Sequence, residues 1–134
     1  MIRIQMRVAT SELSAKRTIG PRDAMPSTVV QSALSIGTLR KPADTTIELD
    51  FKLSCRYSPE IGSIDLAGTA ILLANSADVE SQKQLQEIVD RHSQGMQPPV
   101  TLTNKLLDFV FPIAVILAHE AGLPSPQAVP SARE

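Results

Sequence analysis

The sequence predicts an α+β domain in which a four-stranded antiparallel sheet, arranged as a meander, carries two C-terminal helices on one face. Three observations support this class. Residues 46–57 alternate apolar and polar side chains without exception, as a half-buried antiparallel strand requires. All strand-like segments precede the helix-like segments, which is typical of α+β domains. The longest apolar segment lies within residues 105–126, at the end of this order, and has the character of a helix.

Length and composition indicate one domain, residues 1–134, with an aliphatic core. Hydrophobic residues make up 43% of the chain and charged residues 20%, an ordinary balance for a globular protein. Aromatic residues make up only 3%, and the formal net charge is −1. Because nucleic-acid surfaces use stacking rings and positive charge, we expect no nucleic-acid partner.

The single cysteine and the N-terminal segment bear on the compartment. Cys55 is the only cysteine, so neither an internal disulfide nor a cysteine-based zinc site is possible. We expect Cys55 to be a small apolar core residue. The opening "MIRIQMRVATSE" alternates arginine with aliphatic residues and has no continuous apolar run of the kind found in a signal peptide. We therefore expect a cytoplasmic protein.

Two strands are predicted in the first third of the chain. Residues 2–8 alternate aliphatic and polar side chains and predict a strand with one buried face. Residues 14–27 contain one glycine and two prolines and predict a long loop. The segment "TVVQSALSIGTL" predicts a second strand, which ends near Gly37 or Leu39.

The third and fourth strands are predicted to form a hairpin, because "SPEIG" between them supplies turn residues. Gly68 in the fourth strand indicates a bulge or a close backbone approach. After Gly68 the fourth strand is apolar at both alternating positions, so both of its faces need to be covered. One cover is its own helix, and the other is a second helix or another protein chain. We therefore predict partner binding at Ala70, Ile71, Leu72 and Leu73.

A first helix is predicted over residues 77–92. Asn75 or Ser76 can cap its start, and Gly95 ends it. His92 lies at the edge of a narrow apolar stripe, where an amphipathic boundary residue is expected rather than a metal ligand. This divides the chain into a sheet (1–76), a helical part (77–123) and an extended proline-rich tail (124–134).

The last helix is predicted to be a core helix rather than a membrane span. The uninterrupted apolar run "FVFPIAVILA" has about ten residues, whereas a span needs roughly twenty. We therefore expect no membrane insertion. A helix that is apolar nearly all round is expected to be central, with Phe111 in the core.

The ends of this helix and its interruption can also be predicted. Thr101 or Thr103 can cap its start. Pro112 removes one backbone hydrogen bond and should kink the helix. Gly122 can adopt the left-handed conformation at its end, with Leu123 as the accompanying hydrophobic contact.

No catalytic, cofactor-binding or metal-binding residues are predicted. His119 and Glu120 are adjacent, but position 123 lacks the second histidine of a zinc-protease motif. The sequence also has no glycine-rich phosphate loop and no Gly-x-Ser-x-Gly motif. One alternative is an enzymatic or small-molecule-binding domain with a pocket between sheet and helix, near Glu48, Asp50, Arg56 or His119.

The segment "LLDFVFPIAVILAHEAGLPSP" resembles the long helix of the SecB-type export chaperones. That helix carries an apolar-Phe-Pro-x-Ala core and ends at a glycine before prolines. The matching residues here are Val110, Phe111, Pro112, Ala114, Gly122 and Pro124. The order of elements is also similar to that family, except for the additional helix at 77–92. The tail lacks a strongly acidic block, so docking to a translocation motor is not expected.

The resemblance implies a protein-transport type of chaperone that assembles into dimers or tetramers and holds unfolded polypeptide on apolar surface. We therefore predict a non-catalytic polypeptide-binding protein that is a homo-oligomer and needs no cofactor. A second alternative to this function is a subunit whose apolar face is covered by a dedicated protein partner.

Overall fold

The computed structural model describes residues 4–20, 23–24 and 26–126, and these form four strands followed by two helices. The elements are β1 (Gln5–Arg17), β2 (Val29–Ala43), β3 (Thr46–Ser58), β4 (Gly62–Leu73), α1 (Val79–Ser93) and α2 (Val100–Ala121). All pairings in the sheet are antiparallel. The predicted α+β class is confirmed. The predicted tail lies outside the described residues from residue 127 onward, as do residues 2 and 3 of the predicted first strand.

The strand order is β1-β4-β3-β2, which corrects the predicted meander at one strand. Strands β2, β3 and β4 follow one another as predicted, but β1 pairs with β4. Strands β1 and β2 are therefore consecutive among the strands but lie at opposite sides of the sheet, as in a Greek key. Alternation within a strand specifies its buried face but not its neighbour, so the sequence pattern could not decide this pairing. β1 and β2 are the two edges of the sheet.

Both edge strands are longer than predicted. β1 continues through Arg17, so the predicted loop at residues 14–27 begins four residues too early. β2 continues to Ala43, past the predicted end near Leu39. Its pairing with β3 shifts in register between Ile36 and Leu39, where Gly37 lies, and again between Arg40 and Ala43, where Pro42 lies. An edge strand tolerates glycine and proline at such irregularities, because they do not interrupt a ladder on both sides.

The core lies between one face of the sheet and the two helices. Every second residue of β3 from Ile47 to Tyr57 is buried, which confirms the predicted alternation. On β4 the buried side chains of this face include Ile64, Leu66, Ala70 and Leu72. We call this side the inner face and the opposite side the open face.

Gly68 lies at the close approach that its position in β4 predicts. A side-chain Cβ at this residue would collide with the carbonyl oxygen of Ala9 and lie 3.1 Å from the ring of Phe51. The register of β1 against β4 shifts directly beside it, between Thr10 and Glu12. The bulge therefore belongs to the partner strand, and the glycine accommodates it.

Helix α1 begins two residues later than predicted because a different side chain caps it. Asp78 accepts a hydrogen bond of 3.1 Å from the backbone N–H of Glu80, whereas Asn75 closes the turn before it. Ser81, Leu85 and Ile88 are buried. His92 lies at the exposed side of the helix with its Nε2 atom 2.9 Å from the carbonyl oxygen of Gly37. α1 is thus fastened over the second half of β2.

Helix α2 has the predicted end but not the predicted start. It begins at Val100 after Pro99, whose backbone occupies the cap position without a side-chain hydrogen bond. Thr101 and Thr103 lie inside the helix and do not cap it. Its residues stay helical through Pro112, and it ends where Gly122 adopts a φ of 69°. The N–H of buried Leu123 then donates to the carbonyl of Ala118 over 2.9 Å, as a Schellman-type cap requires.

Candidate protein-binding surfaces

The polar residues named for a possible catalytic pocket do not converge. Glu48, Asp50 and Arg56 occupy the alternate positions of β3 whose neighbours are buried, so they lie on the open face. His119 is exposed on α2, which packs against the inner face. The sheet therefore separates the histidine from these three charged residues.

The carboxylates at one end of the open face are held by Arg40 from the edge strand. Its guanidinium donates to both carboxylate oxygens of Asp50, over 2.9 and 2.7 Å, and to Glu48 over 3.3 Å. Thr69 donates a further hydrogen bond of 2.9 Å to Asp50. The hydrogen bonds from Arg40 and then from Thr69 lower the pKa of Asp50 to about 2. The hydrogen bonds to Asp50 and then to Glu48 raise the pKa of Arg40. This cluster is an ion-paired surface feature of the sheet.

A second ion pair lies on the same face. Arg56 donates to Asp65 over 2.9 Å, and the hydroxyl of Ser54 donates to the same carboxylate over 3.2 Å. Burial raises the pKa of Asp65, but the hydrogen bond and charge of Arg56, together with Ser54 and Lys52, outweigh burial and lower it. The lowered pKa values of Asp50 and Asp65 are the opposite of what a general acid at neutral pH needs.

The space between sheet and helices offers little room for a ligand in the described part of the chain. A cavity there has a volume of about 10 Å³ and apolar walls that include Leu49, Leu102 and Leu106. It can hold one water at most, and its walls offer a water no polar partner. Cys55 is fully buried beside Ser32, and burial raises the pKa of its thiol. Among the described residues, no group of three His, Cys, Asp or Glu could hold a metal ion.

The segment predicted to bind a partner is divided between the two faces of β4. Ala70 and Leu72 are 1% and 0% exposed in the core, so their assignment to a partner surface is corrected. Alternation along the strand places Ile71 and Leu73 on the open face, where both are half-buried. Helices cover the inner face of β4, as predicted. No described element lies on its open face, so the predicted cover on that side is not seen within the described residues. Partner binding stays a prediction for Ile71 and Leu73.

α2 exposes apolar side chains on the side turned away from the sheet. Its buried residues are Leu102, Leu106, Leu107, Val110, Ala114 and Ala118, which form a single stripe. On the other side, Phe109 is 45% exposed and Ile116 is 61% exposed, with exposed Pro112 between them. These three residues follow one another at spacings of three and four, so they lie on one face of the helix. We call them the outer stripe.

The outer stripe corrects the prediction of a central helix. The sheet needs only one stripe of α2 to cover it, so the remaining apolar side chains are left outside. Phe111, predicted to be a core aromatic, is only half-buried. Within the most apolar 18-residue window of α2, only 28% of the residues are buried.

α2 is also long and apolar enough to cross a membrane, judged by length and composition alone. It is the only helix among the described residues that meets this test, and its 22 residues exceed the ten-residue run on which the sequence prediction rested. One such helix is weak evidence, because core helices of soluble proteins pass the same test. The predicted lack of membrane insertion stays a prediction.

The edge formed by β2 differs in charge from the edge formed by β1. The β2 segment Val29–Ile36 reads "VVQSALSI" and contains no charged residue. β1 carries charges along its length, at Arg7, Glu12, Lys16 and Arg17, and contains the bulge. Edge strands commonly carry charges or bulges that discourage pairing with another chain. The uncharged composition was visible in the sequence, but that β2 is an edge strand required the strand order.

Comparison with known proteins gives a likeness of fold. No family model matches the sequence, and no curated protein matches it. Among solved structures, the chain is similar to the Mycobacterium tuberculosis SecB-like chaperone Rv1957, which was solved in complex with a ChAD peptide from the Rv1956 HigA1 antitoxin. The TM-score is 0.62 at 13% sequence identity, and the match covers 98% of this chain and 93% of that chain. The chain therefore has the fold of a SecB-like chaperone, as the resemblance of its long helix predicted.

Proposed function

We propose that this protein is a chaperone-like, polypeptide-binding protein of the cytoplasm that acts as a homo-oligomer, without catalysis or a cofactor. The observation that carries the proposal of an oligomer with protein-binding surface is the outer stripe of α2. Large apolar side chains that cluster on an exposed surface are typical of sites that contact another protein. The fold supports polypeptide binding, since the SecB-like neighbour was solved with a bound peptide.

The outer stripe fits self-association better than it fits a variable client. Phe109 and Ile116 lie equally far from the midpoint between Pro112 and Ile113. Two α2 helices that cross antiparallel at this midpoint would therefore place Phe109 of one copy opposite Ile116 of the other. Such a contact is isologous and closes as a dimer.

The charges at the ends of α2 support the same arrangement. Lys105 and Glu120 are also equally far from the midpoint, so the antiparallel pair would bring each lysine near the partner's glutamate. Lys105 is half-buried and also donates to the carbonyl of Ile4 over 3.4 Å, whereas Glu120 is exposed. Opposite charges at the rim of an interface set its register more than its affinity.

Oligomerisation is tested by measuring molar mass with light scattering after size exclusion. We expect the wild-type protein to be a dimer or tetramer and Ile116→Glu to shift it toward the monomer. The matched control is Val79→Glu, because Val79 is 66% exposed on α1 and also apolar. This control should leave the mass unchanged. A monomeric wild-type protein, or equal masses for both variants, would contradict this use of the stripe.

Polypeptide binding is tested by following the aggregation of chemically unfolded proteins by light scattering. We expect a stoichiometric amount of the wild-type protein to suppress aggregation of several unrelated unfolded proteins. Suppression of none of them, together with stable capture of one folded partner from the native source, would favour the alternative of a dedicated protein partner. The enzymatic alternative has no geometric support, because its candidate residues lie on opposite sides of the sheet.

A further inference from the structure

We propose that the free edge of β2, from Val29 to Ile36, binds a client polypeptide as an additional β-strand of the sheet. This inference rests on the proposed polypeptide-binding function and names the site and the mode of binding. An extended peptide that pairs with a sheet edge gains its affinity from main-chain hydrogen bonds. Because every sequence offers the same main chain, this mode suits a protein that binds many unfolded clients.

The hydrogen-bonding capacity of β2 is only half used. Within the described residues, β3 is the only strand that pairs with β2. Alternate residues of an antiparallel edge strand direct their N–H and C=O groups away from the sheet. The eight residues from Val29 to Ile36 span about 27 Å at roughly 3.4 Å per residue. A peptide of similar length would satisfy these groups.

The ends of the free edge are defined by neighbouring features. At one end, the His92 contact with the carbonyl of Gly37 and the hydrogen bond from Lys41 to Gln86 fasten α1 over the remainder of β2. At the other end, Pro26 precedes the strand and has no N–H to donate. The open segment lies between them.

The two faces of β2 would impose an alternating preference on the bound strand. On the inner face, Val30, Leu34 and Ile36 are half-buried and pack against the core. On the open face, Ala33 and its alternate neighbours are exposed. Cross-strand neighbours on one face contact each other. The site would therefore favour a segment with apolar side chains at every second position.

The distribution of charge also favours β2 over β1 as the edge that binds a client peptide. Strand β1 carries four charged residues and a bulge, both of which oppose strand addition. The free part of β2 carries neither charge nor proline, and its pairing with β3 is regular from Val29 to Ile36. Strand addition is therefore expected at one edge only.

The main test uses three synthetic peptides. The first has eight residues in which leucine alternates with threonine. The other two are copies of it with N-methyl groups on alternate amides, one copy for each set of amides, so that both possible registers are covered. They keep the side chains but remove the N–H groups that strand addition uses. We expect the unmodified peptide to bind and at least one N-methylated copy to bind at least tenfold more weakly, measured by fluorescence anisotropy. Equal binding of all three peptides would overturn strand addition.

The position of the site is tested with two matched alanine variants. Ala33 on β2 and Ala9 on β1 are both exposed on the open face of an edge strand. Lysine disfavours edge pairing, so Ala33→Lys should weaken peptide binding at least tenfold while Ala9→Lys leaves it unchanged. The reverse result, or equal effects, would overturn the assignment to β2.

Hydrogen exchange separates the remaining outcomes. We expect the backbone amides between Val29 and Ile36 that point away from β3 to become protected when the peptide is added. Protection of these amides in the free protein that is lost on dilution would show that a second copy occupies the edge, which contradicts the proposal. If the wild-type protein suppresses aggregation but β2 gains no protection, the inference fails and the proposed function stands. If it neither binds peptide nor suppresses aggregation, the proposed function fails as well.

Discussion

The phenol oxygen of Tyr57 donates a hydrogen bond of 2.7 Å to the carbonyl oxygen of Pro124. This bond joins the end of β3 to the segment that follows α2. Tyr57 is only 4% exposed, and burial raises the pKa of its hydroxyl to about 12. A second contact reinforces the same junction, because the guanidinium of Arg17 donates to the carbonyl of Gly122 and to that of Gly20. The end of α2 is thus fastened to the sheet by side chains from β1 and β3.

Removing the Tyr57 hydroxyl should weaken this junction. Tyr57→Phe keeps the ring in the core but leaves the carbonyl of Pro124 without its described donor. We expect the free energy of unfolding to fall by about 0.5–1.5 kcal/mol, the usual net contribution of one hydrogen bond. Urea denaturation followed by circular dichroism measures it. An unchanged midpoint would show that water replaces the hydroxyl without cost.

The two glycines with positive φ should differ in their tolerance of alanine. Gly95 has a φ of 71° and open space around it, whereas a Cβ at Gly122 would lie 2.8 Å from Arg17. Gly95→Ala should cost about 1–2 kcal/mol from its backbone conformation alone. Gly122→Ala carries the same cost and also displaces Arg17, so its loss of unfolding free energy should be larger. Equal losses in thermal or urea unfolding would indicate that Arg17 moves away freely.

Truncation of two side chains on α2 should separate its buried side from its flank. Leu106 is 2% exposed, so Leu106→Ala should destabilise the protein by about 2–5 kcal/mol. Phe111 is half-buried, so Phe111→Ala should cost less than the roughly 3–5 kcal/mol that a fully buried aromatic would lose. Both values come from urea unfolding at one protein concentration. A greater loss for Phe111 would mean that its ring is covered in an oligomer.

The Arg40–Asp50 pair should make stability depend on pH in the acid range. The pKa of Asp50 is lowered from 3.8 to about 2 in the folded protein. A lowered pKa contributes stability above the unfolded value, and this contribution is lost as the pH falls from 3.8 to about 2. We expect the difference in unfolding free energy between wild type and Asp50→Asn to shrink across this window.

Arg40→Gln provides the control for this pH effect. It removes the first cause of the lowered pKa, so the unfolding free energy of this variant should also depend less on pH in the same window. If Asp50→Asn and wild type keep a constant difference down to pH 2, Asp50 does not titrate as the geometry requires. Measurements at two salt concentrations would add a check, because exposed ion pairs are screened by salt.

Local chemistry explains why part of this fold could be predicted. The alternation in β3 identified its buried side chains, since successive residues of a strand point to opposite faces. Gly122 and Leu123 predicted the end of α2, because few residues besides glycine adopt the left-handed conformation that the cap needs. Both features depend on residues close together in the chain.

The cap of α1 and the start of α2 show the limit of such local rules. Asn75, Ser76 and Asp78 can all cap a helix, and the turn closed by Asn75 left Asp78 in the capping position. Likewise, Thr101 and Thr103 are good capping residues, but the helix begins before them, at Val100, with Pro99 in the cap position. Where several residues suit one role, the conformation of the neighbouring segment selects among them.

The candidate surfaces depended on contacts between distant residues. From the sequence, the α+β class, the buried row of β3 and the end of α2 could be predicted, because periodicity and capping act within a few residues. The tertiary structure alone decided that β1 pairs with β4, that β2 is an uncharged edge, and that Phe109 and Ile116 lie outside the core. An apolar side chain is buried only if another element reaches it, and that depends on which strands and helices become neighbours.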